Sequence, residues 1–156
     1  GGTITPANSS SISDGASALL LASEGAVASH ALKARARIVA HARNSLAPED
    51  FTLAPIGAAE QVLAKAGWNA SDVDLWEINE AFAMVTMLTT RALDLDLACV
   101  NVHGGACAQG HPIGSTGSRI IVTLMHALEH YGKRRGVAAL CIGGGEATAV
   151  AIELVS

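Results

Sequence analysis

Short apolar runs alternate along this chain with segments in which apolar residues recur at helical spacing. Residues 36–43 alternate apolar and polar side chains, and residues 73–78 and 99–102 are short runs rich in apolar residues, so each is predicted to be a strand. Residues 136–142 and 147–154 are apolar runs joined by three glycines, which favours an antiparallel hairpin. The alternation of strands with helices predicts an α/β layered fold.

Several residues are of types that commonly mark the start or the end of a helix. Ser23 and Glu24 predict a helix start, because Ser caps N-terminal amides and an acidic first turn complements the helix dipole. Gly67 predicts a helix end, and Pro112 fits the first turn of a long final helix, where a missing N–H does no harm. The predicted helices span residues 23–33, 56–66, about 80–93 and 112–131, whereas residues 44–55, with Pro48 and Pro55, are predicted to be a loop.

The composition limits both the core and the partners. Half of the 156 residues are hydrophobic but only 3% are aromatic, so the core must be built from Ala, Val, Ile and Leu. The net charge of -4 argues against a nucleic-acid partner, which would require a basic face. No apolar run approaches the roughly 20 residues that a membrane span needs, so no membrane partner is expected.

The N-terminus and the cysteines bear on the cellular setting. Residues 1–5 lack the methionine, basic start and apolar stretch of a signal peptide, and they look like a cut inside a longer protein. Cys99, Cys107 and Cys141 are odd in number and form no CxxC pair. A reduced, intracellular location is therefore expected.

Candidate catalytic residues stand where predicted strands end and helices begin, the region where open α/β sheets bind ligands. His111 lies between Gly110 and Pro112 at the start of the long helix, whose dipole would lower the pKa of the imidazole. A neutral imidazole can donate to a carbonyl oxygen or take a proton. The alternative is an N-capping or buried histidine without a chemical role.

Cys141 and Gly143 form a second candidate at a strand end. The glycines after Cys141 permit unusual backbone angles and expose N–H groups, and such amides can hold a developing oxyanion in acyl transfer. The alternative for Cys141 is a small buried hydrophobic residue, the commonest fate of a free cysteine. Asn79 can bind substrate or cap the next helix, and Glu80 can complement the dipole of that helix.

A metal site is disfavoured, although Cys99, His103, Cys107 and His111 recur every four residues and Cys/His sets bind zinc. On a continuous helix these side chains would share one face, but the glycines between them prevent a regular helix. The same stretch lacks the G-K-[ST] ending of a phosphate-binding loop. Neither a metal ligand nor a phosphate loop is predicted.

Three segments in order give the chain a close resemblance to the thiolase family, and the match covers nearly all of the chain. They correspond to the N-E-A-F motif, the long glycine–histidine signature and the C-terminal cysteine motif of that family, and Asn8-Ser9-Ser10 with Asp14-Gly15-Ala16 resembles an upstream segment. The three segments are Asn79-Glu80-Ala81-Phe82-Ala83, Asn101 to Ala106 continuing through Gly110-His111-Pro112-Ile113-Gly114 to Gly117 and Arg119, and Cys141-Ile142-Gly143-Gly144-Gly145.

The resemblance implies an acyltransferase that moves acyl groups between coenzyme A thioesters, with a nucleophilic cysteine on an N-terminal half that this chain lacks. It implies that His111 activates that cysteine and binds the thioester oxygen, and that Asn79 holds a water in the same oxyanion hole. Cys141 would move the proton at the reacting carbon or thiol, and the Gly143 N–H would belong to the second hole. Because a thiolate at neutral pH needs a lowered pKa, polar neighbours such as His111 are expected to lower that of Cys141.

The resemblance also implies substrate contacts and partners. Ser10 is expected near the bound thioester and its pantetheine arm, and Phe82 is expected to contact the substrate. The expected partners are acyl-CoA, CoA, the N-terminal half and further copies in a homodimer or homotetramer, with no cofactor besides the coenzyme A substrates. The cytoplasm or an organelle matrix is the expected location.

The family fold is two similar halves, each a mixed five-stranded sheet covered by helices, in a five-layer α-β-α-β-α sandwich. Residues 1–33, which include the apolar run 14–22, would be the last strand and helix of the first half, and residues 34–156 the second half. The alternative function is a thiolase-like protein that binds acyl-CoA or lipid without turnover. The joint presence of three candidate catalytic residues disfavours it.

Three residues depart from the family pattern: His103 and Gln109 in the glycine–histidine signature, and Glu146 after the glycines. A carboxylate buried near Cys141 would raise the pKa of the thiol and weaken it as a base. These departures bear on substrate and acyl chain-length preference rather than on the reaction class.

Overall fold

The computed structural model describes residues 2–155, which form one four-stranded sheet with helices on both faces. The strands are β1 (Ala36–Ser45), β2 (Leu75–Ile78), β3 (Arg135–Ile142) and β4 (Glu146–Leu154), in the spatial order β1-β4-β3-β2. β4 pairs antiparallel with both β1 and β3, whereas β2 pairs parallel with β3. The predicted hairpin is therefore confirmed, and the sheet is mixed as expected.

The helices of the described chain begin and end at several of the predicted signals. Ser23 caps α1 (Glu24–Ser29) by accepting a hydrogen bond from the Ala26 N–H at 3.2 Å, and Gly67 follows α2 (Ala54–Ala66) in the left-handed conformation. Pro55 lies in the first turn of α2 rather than in a loop. The α-helices are α1 (Glu24–Ser29), α2 (Ala54–Ala66), α3 (Ala83–Ala92), α4 (Ala106–Gln109) and α5 (Ile113–His130), and single 3-10 turns lie at Pro6–Asn8, Pro48–Asp50, Ala70–Asp72 and Leu97–Cys99.

None of the helices in residues 2–155 combines the length and the apolar character that crossing a membrane requires.

The core consists of two apolar clusters, one on each face of the sheet. Val137 and Ala139 belong to the cluster under α2, and Ala138 belongs to the cluster under α5, because successive strand residues point to opposite faces. A strand covered on both faces is apolar throughout, which explains the uninterrupted run at residues 136–142.

Small residues let α5 approach the sheet closely. A Cβ at Gly136 of β3 would lie 2.8 Å from the side chain of Leu124, which is fully buried in α5. A larger residue at position 136 would push the helix outward. Gly136 therefore serves the close packing of α5 on the sheet.

The predicted strand at residues 99–102 is wrong, and the sheet has four strands rather than five. Val100 makes one isolated parallel bridge to Trp76, and the next residue, Asn101, has a φ of 48°. The Ile78 N–H donates to Asn101 Oδ1 at 2.8 Å, and Asn101 Nδ2 donates to the Ile78 carbonyl at 2.9 Å. The Asn101 side chain thus takes the place of further strand pairing.

Residues 14–22 contain no strand, although residues 1–33 were expected to hold one. Leu20 and Leu21 are 87% and 70% exposed, and no strand in residues 2–155 pairs with this run. A strand needs a neighbour to satisfy its backbone groups, so the run stays irregular. The helix after it is shorter than predicted, because Ala31 has a φ of 49°. A domain boundary at residue 33 stays a prediction.

Candidate active site

The parallel pair of β2 and β3 brings two candidate residues to the same edge of the sheet. The Asn79 N–H donates to the Ala139 carbonyl at 2.9 Å and extends the pairing one residue beyond Ile78. Cys141 lies two residues beyond Ala139, near the end of β3. Asn79 is 2% exposed and Cys141 is 7% exposed, so both side chains are buried near the carboxyl ends of neighbouring strands.

His111 contacts Asn79, with 3.3 Å between Asn79 Nδ2 and His111 Nε2. The other ring nitrogen, Nδ1, lies 2.7 Å from Thr116 Oγ1, and the Thr116 hydroxyl donates to the Pro112 carbonyl at 3.0 Å. Because the only hydroxyl proton of Thr116 is committed to that carbonyl, His111 Nδ1 carries the ring proton and donates to Thr116. Nε2 therefore carries a lone pair, which accepts a hydrogen bond from Asn79 Nδ2, and it is the ring atom that can take a proton.

Burial lowers the pKa of His111, and the positive charge of Arg119 lowers this pKa further. The imidazole is consequently neutral near pH 7, and the predicted direction is confirmed. The causes are burial and a nearby cation rather than the helix dipole expected from the sequence. His111 precedes the first residue of α5, Ile113, by two positions.

Burial raises the pKa of the Cys141 thiol, contrary to the expectation that polar neighbours would lower it. Within residues 2–155, no hydrogen bond joins the Cys141 sulfur to Asn79 or His111. Glu146 is not the cause, since it is exposed and pairs with Ile142 at the start of β4. The resting thiol is therefore protonated and can act as an acid before it acts as a base.

The glycine turn between β3 and β4 leaves an amide free. The Gly145 N–H donates to the Ile142 carbonyl at 3.1 Å, and Gly145 has a φ of 93°. A Cβ at Gly145 would collide with the Leu46 carbonyl oxygen, so only glycine fits. Gly143 is exposed, and its N–H donates to no acceptor among the described residues. This amide is available to an oxyanion.

Ser10 lies beside the other candidates but is engaged by the protein itself. Its N–H and its hydroxyl both donate to the Ala81 carbonyl, at 3.1 and 3.0 Å. The Ser11 carbonyl accepts from the His111 N–H at 3.0 Å. The N-terminal segment thus joins the N-E-A-F motif to the glycine–histidine signature.

Phe82 is half-buried, and its ring meets that of Phe51 edge-on with 6.1 Å between centroids. An isolated bridge to Ser9 holds Phe82 in an extended conformation, and α3 starts only at Ala83. The helix therefore starts later than predicted. The interpretations of Asn79 as its cap and of Glu80 as its first-turn acid are wrong.

Two neighbours of the site had no assigned role in the sequence analysis. Thr116 fixes the tautomer of His111, and its signal was a hydroxyl in the first turn of the helix that follows the histidine. Glu77, two residues before Asn79 on β2, is 3% exposed. Burial raises the pKa of Glu77 to about 8, and the nearby positive charge of Arg119 only partly opposes this.

Within residues 2–155, no three potential metal ligands come together. Cys99, His103, Cys107 and His111, which recur every four residues in the sequence, do not share one environment. The Cys107 N–H donates to Glu80 Oε2 at 3.0 Å, whereas the ring of His103 stacks on Tyr131 with 5.6 Å between centroids.

The fold and the site define an α/β domain in which the ends of β2 and β3 carry an amide and a protonated thiol, and a neutral imidazole contacts that amide. The chain belongs to the thiolase family, because the family model described as "Thiolase, C-terminal domain" matches residues 32–154. The predicted family and the thiolase-like fold are therefore confirmed.

Curated relatives extend well beyond this chain. It is 49% identical over 152 residues to the cytosolic acetyl-CoA acetyltransferase of Mus musculus, a match that covers 97% of this chain and 38% of the relative. It is 50% identical over 152 residues to the probable acetyl-CoA acetyltransferase of Dictyostelium discoideum, with 97% and 37% covered. The chain thus spans about two fifths of the length of these relatives.

Solved structures of thiolases share this fold. The acetyl-CoA acetyltransferase of Bacillus anthracis superposes with a TM-score of 0.95 at 40% identity, covering 98% of this chain and 39% of that one. Human mitochondrial 3-ketoacyl-CoA thiolase in complex with CoA superposes with a TM-score of 0.92 at 39% identity, covering 99% and 39%. The relatives include proteins named cytosolic and proteins named mitochondrial.

Proposed function

We propose that this chain supplies the acid/base half of a thiolase active site, which transfers acyl groups between coenzyme A thioesters. The observation that carries the proposal is the hydrogen-bond series from Thr116 through His111 to Asn79, which leaves a basic nitrogen at the sheet edge. The nucleophilic cysteine would come from an N-terminal half, since the chain spans about two fifths of its relatives.

In the first half-reaction, His111 Nε2 takes the proton of the nucleophilic thiol, and the thiolate attacks the thioester carbonyl. The Gly143 N–H and the backbone N–H of the nucleophile hold the oxyanion. The carbon–sulfur bond to coenzyme A then breaks, and Cys141 protonates the leaving thiolate. The raised pKa of Cys141 suits this step, because the thiol must keep its proton until coenzyme A leaves.

In the second half-reaction, the Cys141 thiolate takes a proton from the α-carbon of a second acyl-CoA. The enolate oxygen is held by the protonated His111 and by a water on Asn79. The enolate carbon attacks the acyl-enzyme carbonyl, and the carbon–sulfur bond to the enzyme breaks. His111 returns its proton to the nucleophile, so all groups regain their first state.

The partners proposed are acyl-CoA, CoA, the N-terminal half and further copies in a homodimer or homotetramer, in the cytoplasm or an organelle matrix. Exposed apolar side chains of the N-terminal segment and of α5 support an N-terminal half that covers them. Ile12, Leu20 and Ile113 are 94%, 87% and 72% exposed, and large exposed apolar patches are typical of interfaces. The chain alone should self-associate in sedimentation, whereas a well-behaved monomer would count against such a partner.

The test of function uses a joined protein, in which the N-terminal half of the Mus musculus relative precedes this chain. It is expected to convert acetyl-CoA to acetoacetyl-CoA. His111→Ala should lower kcat by about 10²–10⁴-fold while CoA binding and Tm change little. Cys99→Ser, which alters a cysteine outside the site, is the matched control and should leave kcat unchanged.

Two results would contradict the proposal. An unchanged kcat in His111→Ala would remove the imidazole from the reaction. Binding of CoA by a folded joined protein without turnover would favour the carrier function instead.

A further inference from the structure

The segment that carries His111 has little regular structure of its own. Residues 103–111 contain only the single turn of α4 and include Gly104 and Gly110 with positive φ. Gln109 Nε2 donates to the His103 carbonyl at 2.7 Å, which braces the segment internally. An internal brace does not fix the segment relative to β2. The His111 N–H is held by the Ser11 carbonyl, and further contacts to the residues that follow β2 set the position of the segment against the sheet.

Glu80 makes such a contact, one residue after Asn79. Its Oε2 accepts a hydrogen bond from the Cys107 N–H at 3.0 Å, and the Cys107 sulfur lies 3.9 Å from the Glu80 carbonyl oxygen. Asn79 and Glu80 therefore hold the segment at two places, the first at the ring of His111 and the second four residues earlier.

Gly105 makes room for this carboxylate. A Cβ built on Gly105 would overlap the carboxylate of Glu80, so the hydrogen bond to Cys107 requires a residue without a side chain there. Gly105 has a φ of -114°, an extended conformation that any residue can adopt. The absence of a side chain at 105 is thus needed for space and not for backbone freedom.

We infer that Glu80 is a positioning residue for His111, because its carboxylate holds the Cys107 N–H over Gly105 and so fixes the segment 103–111 against β2. The inference rests on the proposed function insofar as His111 is the base. Removal of the carboxylate lets the segment shift, and His111 Nε2 then moves relative to Asn79. Glu80 itself touches none of the reacting atoms.

The test measures acetyl-CoA turnover of the joined protein with substitutions at position 80. Glu80→Ala is expected to lower kcat about tenfold to hundredfold with little change in KM, because a shift of about 1 Å in a catalytic group costs up to about 10²-fold. Glu80→Gln should keep most of kcat, since an amide oxygen still accepts from the Cys107 N–H. Glu60→Ala, at an exposed carboxylate of α2, is the control.

A substitution at Gly105 disrupts the same hydrogen bond between Glu80 and Cys107. Gly105→Ala should displace the flexible Glu80 carboxylate and lower kcat about as much as Glu80→Ala does. If both substitutions lower kcat by breaking the same hydrogen bond, the kcat of the double variant should be no lower than that of the slower single variant.

Two readouts do not depend on turnover. Hydrogen exchange at the Cys107 amide should become faster in Glu80→Ala, and the ¹⁵N signal of His111 Nε2 should shift as its contact with Asn79 changes, while Nδ1–H remains on Thr116. If the unsubstituted joined protein is folded but inactive, the proposed function fails while these readouts still test the role of Glu80.

Three results would overturn the inference. They are an equal loss of kcat in Glu80→Gln and Glu80→Ala, additive effects of Glu80→Ala and Gly105→Ala, and unchanged exchange at the Cys107 amide in Glu80→Ala.

Discussion

The two faces of the sheet differ in what they bury. The face under α2 is closed by apolar side chains, whereas the face under α5 also buries polar atoms near the carboxyl edge. Four buried side-chain atoms of the described residues have no hydrogen-bond partner: Glu77 Oε1, Asn79 Oδ1 and Arg119 Nε, together with Thr90 Oγ1 of α3. A buried polar atom without a hydrogen-bond partner costs free energy of folding, so the α5 face is less stable at the positions that hold the candidate reactive groups. The α2 face includes Ala54, Ala58, Ala59 and Val62, all fully buried.

The largest expected effect is on the α5 face, at Glu77. Its carboxyl has a pKa of about 8 when folded, against 4.5 unperturbed, so the folded state holds a proton that the unfolded state releases between these values. This contribution to stability is complete below about pH 4.5 and is lost as the pH rises to about 8. Glu77→Gln removes the titration, so its stability should exceed that of the unsubstituted protein progressively as the pH rises.

The difference is on the order of 2–5 kcal/mol, at about 1.4 kcal/mol per pKa unit. Urea unfolding of the joined protein at several pH values between about 5 and 9 measures it. Glu60→Gln, at an exposed position of α2, is the control. A stability difference between Glu77→Gln and the unsubstituted protein that does not vary with pH would show that Glu77 ionises normally.

The next effect is on activity, at Thr116. Thr116→Val keeps the shape but removes the acceptor for His111 Nδ1–H, so the ring loses its fixed tautomer and kcat should fall by about 10²-fold. The unpaired N–H should also cost about 1–3 kcal/mol of stability. Thr116→Ser retains the hydroxyl and should keep kcat within a few-fold. Equal kcat values in Thr116→Val and Thr116→Ser would show that catalysis does not depend on the tautomer of His111.

A smaller effect, on stability alone, is expected under α2. Val62 is fully buried, and Val62→Ala should lower the free energy of unfolding by about 2–3 kcal/mol through lost burial and a cavity. The kcat should be unchanged, because this face holds no group of the proposed reaction. A large fall in kcat would mean that the two faces are not separate in function.

The smallest effect is expected on the outside of the molecule. Arg35 forms an ion pair with Glu129 at 2.7 Å, with both side chains about half exposed. Exposed pairs contribute little because water and salt screen them. Arg35→Ala should leave both Tm and kcat unchanged within error. A clear loss of Tm would indicate that this pair acts as part of a larger network.

Elements were predictable from sequence where the local signal agrees with the tertiary contacts. Ser23 and Gly67 mark helix ends through their own backbone and side-chain preferences, and the structure retains both. The strand predicted at residues 99–102 fails because Asn101 adopts a positive φ while its side chain bonds Ile78, 23 positions away. A pattern of apolar residues contains no information about that distant contact.

For the candidate site, the sequence predicted where the candidate residues lie in the fold but not the protonation state of Cys141. Strand ends predicted that Asn79 and Cys141 share an edge, and their backbone placement agrees. The raised pKa of Cys141 follows from burial, which depends on how the sheet and helices pack. The contact of Glu80 with Cys107 depends on a loop path that no local pattern encodes.

The turn at Gly145 links the proposed oxyanion amide to a distant part of the chain. The Leu46 N–H donates to the Gly145 carbonyl at 2.9 Å, and the Leu46 carbonyl fills the place of the missing Cβ. Residues added or deleted just after β1 would therefore shift the amide of Gly143 as well. In an engineered variant, changes in loop length at residues 46–47 and redesign of the glycine turn would have to be made together.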